Sequence, residues 1–359
     1  MASNCTETNS TFPVYLKEPF PVTIFRIGLQ IAIGVFGVIG NAMVCVVIIR
    51  KPKVLGPTSQ YLFSLAIADL GVLIFNLPIG ILKEQDPFRW SLGKAFCLYV
   101  VPATETFFGA AIFSITLIAF ERYVNIARSV LRARRTWSRN RRRLVLAVVW
   151  AASFAVTSAP LYIFQEYDSC YRVCYYTWSL KVLLIYIATL TALLYVVPLA
   201  IIAFSYISIA RRVSKRMNIL QEEFGTSGHS TSQSSSMRTM LRQKSKTYRI
   251  LKPLVILFAV SMFPLTVFRL VLIWTDLPLQ SYYTLLVTLV VISTVVNSAA
   301  DPIVYCVVNK EFRQQVKWLL GGNFLQSFNT FRPKWSQTTK VTGIYTVTME
   351  RHTTNDTHL

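Results

Sequence analysis

Charge is scarce in this chain: only 15% of its 359 residues are Asp, Glu, Lys or Arg, where a soluble domain of this length carries about a quarter. The shortage speaks against a water-exposed globule. The hydrophobic residues, 53% of the total, also fall in long runs, which points to burial in lipid. Cysteine is sparse as well, and six cysteines in 359 residues do not make a disulfide scaffold. No signal peptide is read at the start, because residues 1–13 are polar and lack a basic lead followed by an apolar run; the first apolar segment is expected to do its own targeting. The apolar runs do not alternate with polar residues and are about twice the length of a barrel strand, which argues against a transmembrane β-barrel. No internal repeat links the early runs to the late ones, which weakens a transporter reading. No nucleophile–base pair or metal cluster can be placed, so an enzyme is the least favoured class.

What the chain does have is seven segments near the ~20 apolar residues a spanning helix needs, at roughly 24–49, 60–82, 95–120, 144–164, 182–210, 253–274 and 282–306. The expected fold is an all-α membrane protein: an outer tail (1–23), a seven-transmembrane helix bundle (24–308), a short amphipathic eighth helix (309–320) and a disordered cytoplasmic tail (321–359). The net charge of +21 raises nucleic acid as a partner, but the basic residues sit in short stretches between apolar runs, and that reading fails. With the N-terminus outside, 29 of the 37 Lys and Arg residues fall in the inner regions, as the positive-inside rule requires. Asn4 and Asn9 begin glycosylation acceptor triplets in the proposed outer tail, and Asn355, which also fits the pattern, is expected inside and unmodified.

Ionisable residues within these segments are few: Asp69, Glu105, Arg269 and Asp301, with Glu121 and Arg122 at the inner end of the third. Each costs roughly 2.5–3.5 kcal/mol on insertion scales, so they are expected to face the bundle interior and to mark function.

Several further residues sit in a telling order. Gly40-Asn41 lies in the first span and Leu65-Ala66-Ile67-Ala68-Asp69 in the second. Cys97 caps the third, and Glu121-Arg122-Tyr123 closes it. Trp150 is in the fourth span, Pro198 and Tyr206 in the fifth, Phe258 and Pro264 in the sixth. Asp301-Pro302-Ile303-Val304-Tyr305 ends the seventh, and Phe312 follows in an amphipathic stretch. The ordered set resembles the rhodopsin-like family of G-protein-coupled receptors over about residues 24–320. The resemblance implies a plasma-membrane receptor that passes an extracellular signal to a heterotrimeric G protein.

The same resemblance gives these residues roles. Glu121-Arg122-Tyr123, with Tyr206, Asp301, Pro302 and Tyr305, is the expected coupling switch, Arg122 being held by its neighbouring carboxylate at rest. The sixth helix often begins with an acid that locks this arginine; here the stretch reads Gln243-Lys244-Ser245-Lys246, so raised basal signalling is expected. Asp69, Asn297 and Asp301, with Asn41, form a cluster suited to a sodium ion. Asp301 replaces the commoner Asn and Ala111 a helpful Ser, so two acids sharing a proton, or a purely hydrogen-bonded cluster, are the alternatives. The sixth span reads Ser261-Met262-Phe263-Pro264 where the family usually shows a tryptophan, leaving Ile112, Pro198, Phe258, Met262 and Pro264 as the packing switch.

For the ligand, Thr104 occupies the position of the aspartate in amine receptors, and Val295 that of the opsin lysine, so neither an amine nor covalent retinal is expected. Glu105 and Arg269, with Phe108 and Thr104, are the expected ligand-binding residues. Either the two charges pair with each other, or Arg269 takes a carboxylate or amidated C-terminus and Glu105 a basic group. An extracellular peptide fits best, a small molecule or lipid less well, and an ion or proton transporter more remotely. Aromatic residues crowd the outer mouth, some as interfacial belt and others as stacking surfaces. Cys174-Tyr175-Tyr176-Thr177-Trp178 resembles a pattern of peptide receptors, which favours a Cys97–Cys174 disulfide over Cys97–Cys170; Cys5 is then a candidate partner for Cys170. Seven arginines between 132 and 143 suit topology and anionic lipid. Ser and Thr residues between 327 and 348 suit phosphorylation and arrestin, and Thr357-His358-Leu359 suits a PDZ domain.

Overall fold

The computed structural model describes residues 19–50, 59–86, 89–130, 138–225, 255–271, 283–308 and 310–319. The expectations for Cys5, Asn4, Asn9, the arginine-rich stretch from 132 to 137, residues 243–246 and the tail beyond 319 therefore lie outside the described residues. The chain divides into two units, Met1–Lys317 and Trp318–Leu359, and the first carries the architecture.

That unit is a helical bundle. Among the described residues, six helices are long and apolar enough to cross a membrane: α1 (Phe20–Arg50), α2 (Ser59–Gln85), α3 (Gly93–Asn125), α4 (Asn140–Phe164), α5 (Leu180–Arg212) and α7 (Tyr283–Val307). Between the last two lies α6 (Val255–Val271), shorter but equally apolar, with undescribed residues on both sides of it. A final short helix, α8 (Lys310–Trp318), buries Phe312 and Val316 and exposes Arg313, Gln314 and Lys317, the one-sided pattern expected of a helix lying along an interface. The segments read from apolar length alone match these helices to within a few residues at most ends.

Four of the helices contain a widened π-turn, at Val72–Asn76, Phe96–Val100, Phe154–Ser158 and Ala192–Val196. Each ends two residues before a proline: Pro78, Pro102, Pro160 and Pro198. Proline has no N–H to donate, and its ring collides with the carbonyl four residues back. Widening the turn re-registers the ladder there without breaking the span.

Close packing of α1 rests on glycine. A side chain at Gly37 would place its Cβ 2.8 Å from Ala299 Cβ and 3.0 Å from Ala299 Cα on α7. The two backbones therefore meet at a distance only a residue without a side chain permits, the small-residue packing typical of helices in lipid. Polar side chains add ties across the bundle. Trp150 Nε1 on α4 donates to Ser64 Oγ on α2 at 3.0 Å, and Ser153 Oγ donates to the Thr106 carbonyl on α3 at 2.7 Å.

Between α4 and α5 the chain forms an antiparallel hairpin of β1 (Gln165–Asp168) and β2 (Val173–Tyr176), with Tyr167 opposite Cys174 and Glu166 opposite Tyr175. Its turn is held by Asp168, whose Oδ1 accepts from the backbone N–H groups of Cys170 and Tyr171 at 2.8 and 3.1 Å, while Arg172 takes a positive φ of 53°. A disulfide from Cys97 near the start of α3 to Cys174 on β2 anchors the hairpin. The bundle thus has a hairpin end and, opposite it, an end carrying Glu121-Arg122-Tyr123.

Candidate functional site

The polar residues gather in three places along the bundle axis. At the end opposite the hairpin, Glu121 is buried and no donor among the described residues meets its Oε2. The Arg122 guanidinium is attracted by the Glu121 carboxylate and lies near Tyr305, so the third and seventh helices converge on it. Tyr123 is the better-bonded member of the motif. Its ring meets Phe204 edge-on with centroids 5.4 Å apart, and Arg212 lies over its face at 5.5 Å and reaches its hydroxyl at 3.4 Å. Tyr305 is buried and Tyr206 half-buried.

Midway along the bundle, Asn41, Asp69, Asn297 and Asp301 are all buried. Asn41 Nδ2 donates to the carbonyls of Gly37 and Ser298 at 3.1 and 3.0 Å, tying α1 to α7. Ser261 Oγ donates to Asn297 Oδ1 at 3.0 Å and ties α6 to the same helix. Among the described residues no donor meets strict hydrogen-bond geometry at Asn41 Oδ1 or at either oxygen of Asp69 and Asp301, while Ser298 and Asp301 both lie near enough to Asp69 to interact with it as hydrogen-bond partners. Asp69 and Asp301 act on one another electrostatically. A buried cluster this poor in donors has a composition that suits a monovalent cation or a bound proton. One helix away lies the packing group. Phe258, Met262 and Ile112 are buried; Tyr195 stacks on Phe258 at 6.4 Å and donates to the Ala259 carbonyl at 3.3 Å. That carbonyl neighbours the one at Val260, which Pro264 cannot bond.

Toward the hairpin end, Arg269 of α6 places its guanidinium 5.6 Å from the centroid of the Phe108 ring on α3. The Glu105 carboxylate of α3 attracts that guanidinium, and Tyr186 of α5 lies near it. Three helices therefore converge on one charged position. Thr104, expected among the ligand-binding residues, is buried and donates its hydroxyl back to the Val101 carbonyl of its own helix at 2.8 Å. The aromatic residues also divide. Trp178 stacks on Phe164 at 4.6 Å and on Tyr186 at 4.8 Å, so these rings form a wall and hold one another.

One constellation escaped the sequence reading. Arg26 and Gln30 of α1 both donate to Glu84 of α2, Arg26 as an ion pair, and all three side chains are buried. Glu84 stands beyond the apolar stretch at 60–82, yet α2 continues to Gln85 and carries it inward. The available signal was on α1: Arg26 and Gln30 are four apart and share a helix face.

The model of the seven-transmembrane receptor (rhodopsin family) matches residues 40–305. The chain belongs to that family. It is a multi-pass membrane protein and a G-protein-coupled receptor. Among its relatives, neuromedin-U receptor 1 of Rattus norvegicus is 27% identical, over 86% of this chain and 75% of that protein. Neuromedin-U receptor 2 of Mus musculus is 29% identical, over 78% and 71%. A QRFP-like peptide receptor of Branchiostoma floridae is 27% identical, over 86% and 80%.

Proposed function

We propose that this receptor is activated by an extracellular peptide that docks at the hairpin end, with the N-terminus outside and the C-terminus cytoplasmic. The observation that carries the reading is Arg269 held over Phe108, with Glu105 contributing to its field. A ring positions the guanidinium without neutralising it, which leaves cation and carboxylate open to a ligand carrying both signs, such as a peptide terminus beside a basic side chain. The names of the relatives, receptors for neuromedin-U and for a QRFP-like peptide, support the same ligand class. A disulfide-anchored hairpin at that end supports an oxidising exterior, as does the concentration of Lys and Arg in the other connections.

Binding at the Arg269 end shifts an existing equilibrium of the bundle, and α6 moves about Pro264 to open a cleft beside Arg122 for a G protein. The Asp69–Asp301 cluster lies on the route and holds either a sodium ion or a shared proton. Arrestin on a phosphorylated tail and a PDZ domain at Thr357-His358-Leu359 are the further partners of this reading.

The test is a peptide library applied to cells expressing the full chain, read by nucleotide exchange on a G protein. A peptide agonist is expected, with Arg269→Ala and Glu105→Ala each lowering its potency 10-fold or more while surface expression persists. A screen in which only small apolar molecules activate, or in which both variants respond as the parent does, would overturn the peptide reading.

A further inference from the structure

Between α3 and α5, on the outside of the bundle, lies a cavity of about 540 Å³, within the range of small-molecule sites. Its walls are Phe113, Leu117 and Phe120 of α3 and Ala200, Ile201 and Phe204 of α5. Thr116 also lines it, but its hydroxyl is turned onto the Ile112 carbonyl at 2.7 Å, so the wall offers hydrocarbon. Phe120 and Phe204 are 40% and 57% exposed; the cavity opens away from the bundle core, toward the acyl chains of the bilayer.

The helix surface running on from this cavity changes character in a regular way. The helix that carries α5 continues to Gly225. Ala200, Phe204, Ser208, Arg211 and Lys215 follow one another at intervals of three or four residues. At ~100° per residue they occupy an arc of about 80°, a single stripe. Arg211, Arg212 and Lys215 are exposed. From Ala200 to Lys215 the stripe is about 22 Å long at 1.5 Å per residue, close to the ~20–22 Å that one leaflet occupies including its headgroups. Hydrocarbon wall, hydroxyl and cations thus appear in the order, and over the length, of a single phospholipid.

We infer that the α3–α5 cavity and its cationic rim bind one anionic glycerophospholipid of the cytoplasmic leaflet, an acyl chain in the cavity and the phosphate-bearing headgroup at Arg211 and Lys215. The leaflet assignment rests on the orientation proposed above. Charge complementarity selects the lipid: the rim cations meet an anionic headgroup and gain nothing from a neutral sterol. The site also touches the coupling motif. Phe120 and Phe204 are cavity walls and both pack on Tyr123, whose hydroxyl and ring are engaged by Arg212 of the rim. A chain seated between those phenylalanines braces Tyr123, and the lipid biases the receptor from a place no extracellular ligand reaches.

The experiment uses the purified full chain in bilayer discs of phosphatidylcholine with or without phosphatidylserine, with retained lipid counted by native mass spectrometry. The parent is expected to retain phosphatidylserine in preference to phosphatidylcholine. Ala200→Trp, which fills the cavity, and the exposed double variant Arg211→Gln/Lys215→Gln are each expected to cut that retention at least threefold. Retention lost only on neutralising the rim would mean surface attraction without a seated chain; retention lost only on filling the cavity would mean a neutral lipid; no preference in the parent would mean no site. Any of the three overturns the proposal. Because the readout is lipid mass, a failure of peptide activation leaves this result separately readable.

Discussion

Arg26 of α1 is ion-paired with Glu84 of α2, and both side chains are almost wholly buried, at 8% and 0% exposure. A charge at such a position is costly alone, and removing one partner strands the other. Glu84→Ala is therefore expected to destabilise the folded bundle by about 3–5 kcal/mol, read as a fall in the thermal midpoint in detergent. Arg26→Met combined with Glu84→Leu is expected to recover most of that loss, since hydrophobic replacement of a buried pair is often neutral. A Glu84→Ala protein as stable as its parent would show that water reaches the pair.

The donor-poor cluster around Asp69 and Asp301 bears on the ions in the buffer. If sodium supplies the missing positive charge, replacing it with a bulky inert cation is expected to change agonist affinity at least threefold, and Asp69→Asn to abolish the change. Affinity indifferent to the cation, but altered in Asp301→Asn, would assign the charge to a shared proton.

The bundle itself was legible in the chain because lipid imposes a length: about 20 apolar residues register as a span whatever they pack against. What that rule misses is where a helix goes on after its apolar stretch stops. Glu84 shows the failure, since a carboxylate past residue 82 reads as solvent-facing until Arg26 and Gln30 are known to lie opposite it. Rings were equally ambiguous. Trp178 reads equally as a belt residue or a stacking surface, and tertiary structure places Phe164 and Tyr186 on it. Thr104 reads as a pocket residue, and tertiary structure adds that its hydroxyl donates to the Val101 carbonyl three residues back. The Cys97–Cys174 bridge came from family resemblance, because spacing alone left Cys170 equally eligible. In the same way the π-turns before Pro78, Pro102, Pro160 and Pro198 require knowing which prolines lie inside continuous helices.

Cys170 is also disulfide-bonded. Cys97 and Cys174 bond each other, and Cys45 and Cys306 are free thiols; Cys5, which lies outside the described residues, is the partner the sequence reading offers for Cys170. Proteolysis without reductant is expected to release a Cys5 peptide joined to a Cys170 peptide, and reduction to separate them. Recovery of Cys5 as an alkylatable thiol, with Cys170 in a covalent dimer of two receptor chains, would refute this.

Tyr175 donates to Glu166 Oε2 at 3.0 Å across the hairpin, and that hydrogen bond to a carboxylate raises the phenol's pKa above its ordinary value of 10.0. The bond needs the neutral phenol, so its contribution to hairpin stability is fully present below the ordinary pKa and is lost as pH rises through the higher folded value. Alkaline difference absorbance, with Tyr175→Phe as the blank, is expected to show Tyr175 ionising later than a free tyrosine, and Glu166→Gln to bring it back toward 10.0. Identical titration in the Glu166→Gln protein would place the cause elsewhere.

Basal activity follows from what surrounds Arg122. An arginine at this position is restrained when carboxylates hold it from two helices. Here Glu121 is one source of negative charge, while the stretch expected to lead into α6 carries Lys244 and Lys246, whose charge repels a guanidinium. If those lysines leave the resting arrangement only weakly favoured, a shift of about 1.4 kcal/mol is enough to change the active fraction tenfold while that fraction is small. Second-messenger levels in cells expressing the receptor without ligand are expected to exceed those of mock-transfected cells, and Lys246→Glu is expected to bring them down by supplying the absent acid. Equal levels in receptor and mock cells, at matched surface expression, would show that Glu121 and the packing around Phe258 hold the bundle closed without it.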